Sequence, residues 1–147
     1  MFGVDKTLKN VREFDNFNFW NVYDYIYENK SINDIYLIHP SINNKSVDPE
    51  LSNFSELFLT KTGASTFVNF SVHPFKDSDI IEWYERIKIA KEIFKNNVID
   101  CYDLEEILLK NKITNIVIKN DINIFNCEKH KRVYLDDDYS VFSINQG

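Results

Sequence analysis

Residues 35–40 read Ile35-Tyr36-Leu37-Ile38-His39-Pro40, and this stretch decides the fold. Four apolar residues in a row, with the polar run Asn29–Asp34 before them and a proline after them, are too few for a helix. They suit a short buried strand. Pro40 biases the residue before it toward extended backbone and cannot continue a hydrogen-bonded ladder, so the strand stops there. The same pattern returns at Thr66–Val72 (TFVNFSV), which is rich in β-branched and aromatic residues and ends in His73-Pro74. Ile113–Ile118 supplies a third strand.

The segments between these strands carry helical spacing. In residues 17–29, Phe17, Trp20, Tyr23 and Tyr27 recur every three to four positions, with Phe19, Val22 and Ile26 in a row beside them. Asp48-Pro49-Glu50 reads as a helix start: a cap, a proline at the first helical position, and an acid that complements the dipole. Leu51, Phe54, Leu57 and Phe58 follow on one face, and Gly63 is placed to end the helix in a left-handed turn. Asp79-Ile80-Ile81-Glu82 has capping-box spacing, with Asp79 as cap, and opens a long helix to about Asn96. Asp103-Leu104-Glu105-Glu106 repeats the box and opens a short helix to about Asn111. Arg132–Leu135 and Tyr139–Ile144 then form a hairpin around Asp136-Asp137-Asp138.

The order α-β-α-β-α-α-β-β-β predicts an α/β three-layer sandwich. It has a mainly parallel sheet covered on both faces, with right-handed crossovers and a C-terminal antiparallel hairpin at the edge. Residues 1–16 read as a lead-in and residues 17–147 as one domain, a size that holds a core without metals.

Composition narrows the function. The 147 residues carry a net charge of −6, from 23 acidic and 17 basic side chains, and the only arginines are Arg12, Arg86 and Arg132. No basic stripe can be built from these, which disfavours nucleic acid as a partner, and an acidic surface is repelled by an anionic membrane face. A hydrophobic content of 44% excludes disorder. The longest apolar runs are a few residues, against the roughly 20 of a membrane span, and residues 1–20 lack a secretory signal pattern. A soluble chain is expected.

If the strands run parallel, His39 and His73 share the carboxyl edge of the sheet, where open α/β sheets bind ligands. Asp77, Asp79 and Asn120-Asp121 follow those strands. His39, His73, Asp77 and Asp121 are therefore the candidate ligand-binding residues, and a His/Asp set of this kind suits metal binding or the acid–base work of a small hydrolase. The competing reading is that each histidine closes a strand end. No His-x-His, His-x-x-x-His or His-Glu-x-x-His spacing favours the sharper one, so no catalytic residue, metal or cofactor is assigned.

Other motifs carry less. Lys61-Thr62-Gly63 lacks the Ser-x-x-Lys and Ser-Asp-Asn that accompany it in serine β-lactamases, and reads as a helix end. Neither Gly-x-Gly-x-x-Gly nor Gly-x-x-x-x-Gly-Lys occurs, which argues against a dinucleotide or NTP site. Asp136–Asp138 reads as a solvated turn, since adjacent carboxylates on a strand diverge. Trp20 and Trp83 sit on helical apolar stripes and read as core. Cys101 and Cys127 have no metal-ligand spacing and no assigned histidine partner. They are taken as two reduced, partly buried thiols, with one disulfide as the alternative in an oxidising compartment.

A resemblance spans residues 17–144. Trp20-Asn21-Val22-Tyr23-Asp24-Tyr25-Ile26-Tyr27-Glu28-Asn29-Lys30, followed by Ile35–Pro40, looks like the opening of the C-terminal soluble domains that follow the last membrane helix of bacterial multi-pass proteins. Those proteins are similar to GT-C type membrane glycosyltransferases. Phe54–Thr60 with Thr66–Phe70 resembles that group's helix, turn and hydrophobic strand. His73-Pro74-Phe75-Lys76-Asp77 with Glu82-Trp83-Tyr84-Glu85-Arg86, and then Leu104–Ile118, resemble its later segments. The resemblance implies a Rossmann-like, non-catalytic accessory domain on the extracytoplasmic side of a membrane. Its partner would be a membrane-embedded domain of the same or another protein. No catalytic residue carries over, and residues 60–65 lack the arginine that related chains often show. A homo-oligomer formed through an exposed edge of the final hairpin is a third expectation.

Overall fold

The computed structural model describes residues 16–40, 49–68 and 76–145. The elements are α1 (Trp20–Asn29), β1 (Ile35–Leu37), α2 (Pro49–Thr62), β2 (Ser65–Thr66), α3 (Asp77–Phe94), β3 (Val98–Asp100), α4 (Cys101–Lys110), β4 (Asn115–Lys119), β5 (Ile124–Asn126), β6 (Lys131–Leu135) and β7 (Tyr139–Ser143).

The fold is mixed α/β. β1 pairs in parallel with β2 on one side and β4 on the other, so the expected first and third strands run together, while the second is met only at Thr66. β4 then pairs antiparallel with β7, and β7 with β6, giving the order β2-β1-β4-β7-β6. The sheet is therefore mixed rather than mainly parallel, with two parallel and two antiparallel pairings. The terminal hairpin contributes two full five-residue strands, and its return strand β7, not β6, meets β4. The β2 bridge covers only Ser65–Thr66, and residues 69–75 of the expected second strand and its His-Pro end lie outside the described residues.

Period-2 alternation divides the core between the two faces of the sheet. Tyr36, Ile38, Val117, Tyr139 and Val141 meet α1 and α2 through Phe19, Tyr23, Ile26, Phe54 and Phe58. Leu37, Ile116, Ile118 and Phe142 meet α3 and α4 through Ile87, Ala90, Ile93, Leu104 and Leu108. On this second side sits a feature the sequence did not suggest, a separate two-stranded parallel sheet of β3 and β5. Each of these strands has three residues with one buried side chain, Ile99 or Phe125, too little to leave a periodic signal.

The helix ends are chemically explicit. Gly63 takes φ +69° just after α2, as its position predicted, and its N–H reaches Leu59 O at 2.8 Å. α4 begins earlier than expected: Asp100, not Asp103, caps it by accepting the Tyr102 N–H at 3.0 Å. Asp103 instead lies in the first turn, where its charge still suits the helix dipole. α3 likewise starts at Asp77, so the expected cap Asp79 also lies inside the first turn. The C-terminus of α4 closes with Lys112 N–H on Leu109 O and Ile113 N–H on Leu108 O. That bonding places Lys112 at the left-handed position of a Schellman turn, with φ 56°. At the end of α3, buried Asn123 donates to the carbonyls of Phe94 and Asn96, which no helix N–H satisfies.

β6 forms one edge of the sheet, and its register with β7 shifts between Arg132 and Tyr134, leaving Val133 as an extra residue. Among the described residues, no helix is long and apolar enough to cross a membrane.

Candidate functional site

The carboxyl edge of the parallel strands is built mainly from groups that bond one another. Past β1, the His39 carbonyl accepts from Ser55 Oγ of α2 at 2.7 Å, and the half-buried imidazole packs against Phe94, ring centroids 5.2 Å apart. At the end of β4, the Lys119 ammonium lies 3.0 Å from Asp121 and 3.9 Å from Glu50. Glu50 stands in the first turn of α2 and accepts the Asn18 N–H at 2.5 Å and the Tyr139 hydroxyl at 2.8 Å. The Lys119 and Glu50 side chains are only 10% and 11% exposed, so this ion pair is a core feature of the edge.

The acidic turn closes the same end. Asp136 Oδ1 accepts the N–H groups of Asp138 and Tyr139, each at 2.7 Å, and its other oxygen accepts the Tyr134 hydroxyl. Asn120 ties the turn to β4 through the Asp136 and Asp138 carbonyls and accepts from Ser140 Oγ at 2.6 Å. Partial burial holds the Asp138 carboxyl above its usual pKa. Repulsion from Glu50 and Asp136 adds to this, and Lys119 opposes it. A cleft of about 320 Å³ opens here between Phe17, Asn18, Trp20 and Asp136–Asp138.

His39 and Asp121 both follow strands that end at this edge, and Asp121 pairs with Lys119. Asp77 is elsewhere: it starts the 18-residue α3, and His39 packs against Phe94 at that helix's other end, about 25 Å away at 1.5 Å per residue. His73 lies outside the described residues. The structure thus separates His39 from Asp77. It brings forward Glu50, expected only as the acid of a helix start, together with Lys119 and Tyr139. Lys119 had one visible signal, a charge directly after the apolar run Ile116-Val117-Ile118.

A second cluster lies on the opposite face of the sheet. Cys101, the first residue of α4, forms a disulfide with Cys127, just past β5, across a Cα–Cα distance of 5.4 Å. The expected pair of reduced thiols is thereby corrected. The reason is the unforeseen β3–β5 pairing, which brings the N-terminus of α4 beside the residue that follows β5. The absence of a histidine partner is also corrected: a ring nitrogen of His130 lies within 4.8 Å of both sulfurs. His130 is 4% exposed, stacks on Phe125 at 11°, and accepts the Asn145 N–H on Nδ1 at 2.9 Å. Burial lowers its pKa, and neighbouring Lys129 pushes the same way. The spacing Cys127-Glu128-Lys129-His130 is the sequence signal that went unused.

Beside this cluster, α3 and α4 flank a cleft of about 500 Å³ floored by Val98 and Ile99. Its walls are mostly apolar (Ile89, Ile93, Leu104, Ile107), with Lys88, Glu92 and Asp103 among the polar residues that also line it. No family model, curated protein or solved structure matches the chain, so its chemistry is read from these residues alone.

Proposed function

We propose that this chain is a non-catalytic accessory domain of a membrane-associated protein, facing an oxidising, extracytoplasmic compartment. The observation that carries the reading is the Cys101–Cys127 disulfide. Structural disulfides persist where the surroundings are oxidising and are rare where thiol buffers keep cysteines reduced. The carboxyl edge supports the non-catalytic part: Glu50, Lys119 and Tyr139 bond one another, Asn18 and Asp121, the pattern of a strand end tied into the fold. The resemblance to soluble C-terminal domains of GT-C-like proteins supplies the partner, a membrane-embedded domain of the same or another protein. A Rossmann-like three-layer arrangement belongs to that proposal.

The test is acid quenching of cells that make the protein, alkylation of free thiols, and a mass measurement before and after reduction. The expected result is a protein that gains no label until reduced and then gains two, and that is recovered with the membrane fraction. Label on both cysteines before reduction overturns the compartment. Recovery wholly in the soluble fraction, with no cross-link to a membrane protein, overturns the partner.

A further inference from the structure

We propose that Cys101, Cys127 and His130, once the disulfide is reduced, form a zinc site. The proposal does not rest on the accessory-domain reading. The three groups arrive from separate places: the first residue of α4, the residue after β5, and the residue before β6. One ligand atom from each lies within 4.8 Å of the others. Two sulfurs and an imidazole are a soft donor set that selects zinc over magnesium or calcium. Cys127 and His130 are separated by two residues and give a short chelating bite, while Cys101 sits at a helix N-terminus that favours its thiolate form.

Nδ1 accepts the Asn145 N–H, so the neutral ring carries its proton on Nε2 and the amide occupies the Nδ1 lone pair in the disulfide form. A metal on Nδ1 displaces that amide, and exposed Asn145 can turn its N–H to water. In a tetrahedral site, with Zn–S about 2.3 Å and Zn–N about 2.0 Å, sulfur and nitrogen stand roughly 3.5 Å apart and the two sulfurs roughly 3.8 Å. The ring therefore has to close in by about 1.3 Å at most, and the sulfurs have to part, which only cleavage of their bond allows. Disulfide and metal are mutually exclusive states of one site.

The chemistry balances with a dithiol reductant. One of its thiolates attacks the sulfur of Cys127, the more exposed of the two residues, and Cys101 leaves as thiolate. The second thiolate of the reductant then attacks the mixed disulfide and releases Cys127, so the reductant is oxidised to a disulfide as the protein gains two thiols. Zinc binding next expels both thiol protons, and water completes the coordination at the fourth position.

The experiment titrates Co²⁺, a spectroscopic stand-in for Zn²⁺, into the intact chain with and without prior reduction under anaerobic conditions. The expected result is one equivalent bound by the reduced protein. It should show a thiolate-to-cobalt charge-transfer band and the intense visible absorption of a tetrahedral site, both erased by Zn²⁺, with no such bands from the disulfide form. His130→Ala should weaken binding at least tenfold, on the order of what the loss of a supporting group alone costs. The absence of bands in the reduced protein, equal bands in the disulfide form, or unchanged affinity in His130→Ala overturns the proposal. If reduction alone loosens the fold, recovery of the far-ultraviolet circular dichroism on adding Zn²⁺ supports the site, and failure to recover overturns it. Free thiols in the acid-quench measurement would remove the compartment proposal and leave this titration unaffected.

Discussion

The two faces of the sheet are held by different means. Toward α1 and α2 the core is a lattice of rings: Tyr23 lies 4.6 Å from Phe19 and 5.2 Å from Phe54, and Phe54 stacks on Tyr139 at 5.2 Å. The hydroxyls of that lattice find partners, Tyr23 on the Phe54 carbonyl and Tyr139 on Glu50. Burial pushes the Tyr23 pKa up. Toward α3 and α4 the packing is largely aliphatic, around Ile93, Ile99 and Leu108. It includes two three-residue strands, is crossed by the disulfide, and leaves the larger cleft open. Large rings on paired helices brace each other directly, whereas three-residue strands with one buried side chain apiece gain most from a covalent tie. The disulfide sits where two three-residue strands each bury a single side chain.

The comparison can be broken hardest at Phe54. Phe54→Ala removes a fully buried ring from the centre of the lattice and should cost about 4 kcal/mol, measured by urea unfolding. A loss near 1 kcal/mol would mean that the rings collapse into the gap and the lattice is not cooperative. The Cys101→Ser/Cys127→Ser double variant comes next. With a separation of 26 residues, chain entropy assigns the cross-link about 3.5 kcal/mol. Hydrogen exchange should quicken more in α4, β3 and β5, through local opening, than in α1 and α2, which share only the global loss. Equal quickening on both faces would erase the distinction drawn here.

Lys112→Gly sharpens the aliphatic side by stabilising it. A lysine at φ 56° is strained where glycine is not, so the variant should gain about 0.5–1 kcal/mol, read as a rise in Tm. The smallest expected effect is on the ring side. The Asp138 pKa is raised in the fold, so its contribution favours the fold at pH below the unfolded value and is lost as pH rises through the folded one. Asp138→Asn should therefore be slightly more stable than the parent at pH 7, and the two should converge as pH falls below about 4. A gap that widens in acid would reverse the sign.

The ring face was legible in the sequence because its signals are local. Phe19, Val22, Tyr23 and Ile26 repeat with helical spacing, Asp48-Pro49-Glu50 and Gly63 bracket α2, and the apolar centre of β4 at Ile116–Ile118 is unbroken. The second face was legible only in its helices. β3 and β5 have three residues each, short of two periods of the strand pattern, and what pairs them is contact between segments 26 positions apart in register. Cys101 and Cys127 become neighbours only through that pairing, so their spacing in the chain carried no sign of a bond. The edge residues show the same limit: Glu50, Lys119 and Tyr139 meet because β7 inserts beside β4, a topological choice that the hairpin's own residues do not state.

The extra residue at Val133 has a consequence beyond this molecule's own sheet. A rim strand that steps out of phase midway cannot offer a second copy an unbroken comb of amides, and Lys131 and Arg132 point charge at whatever approaches. Stacking of copies along this side would stall after a few rungs, which leaves the chain guarded against growing into fibrils from the longest open edge among its described residues.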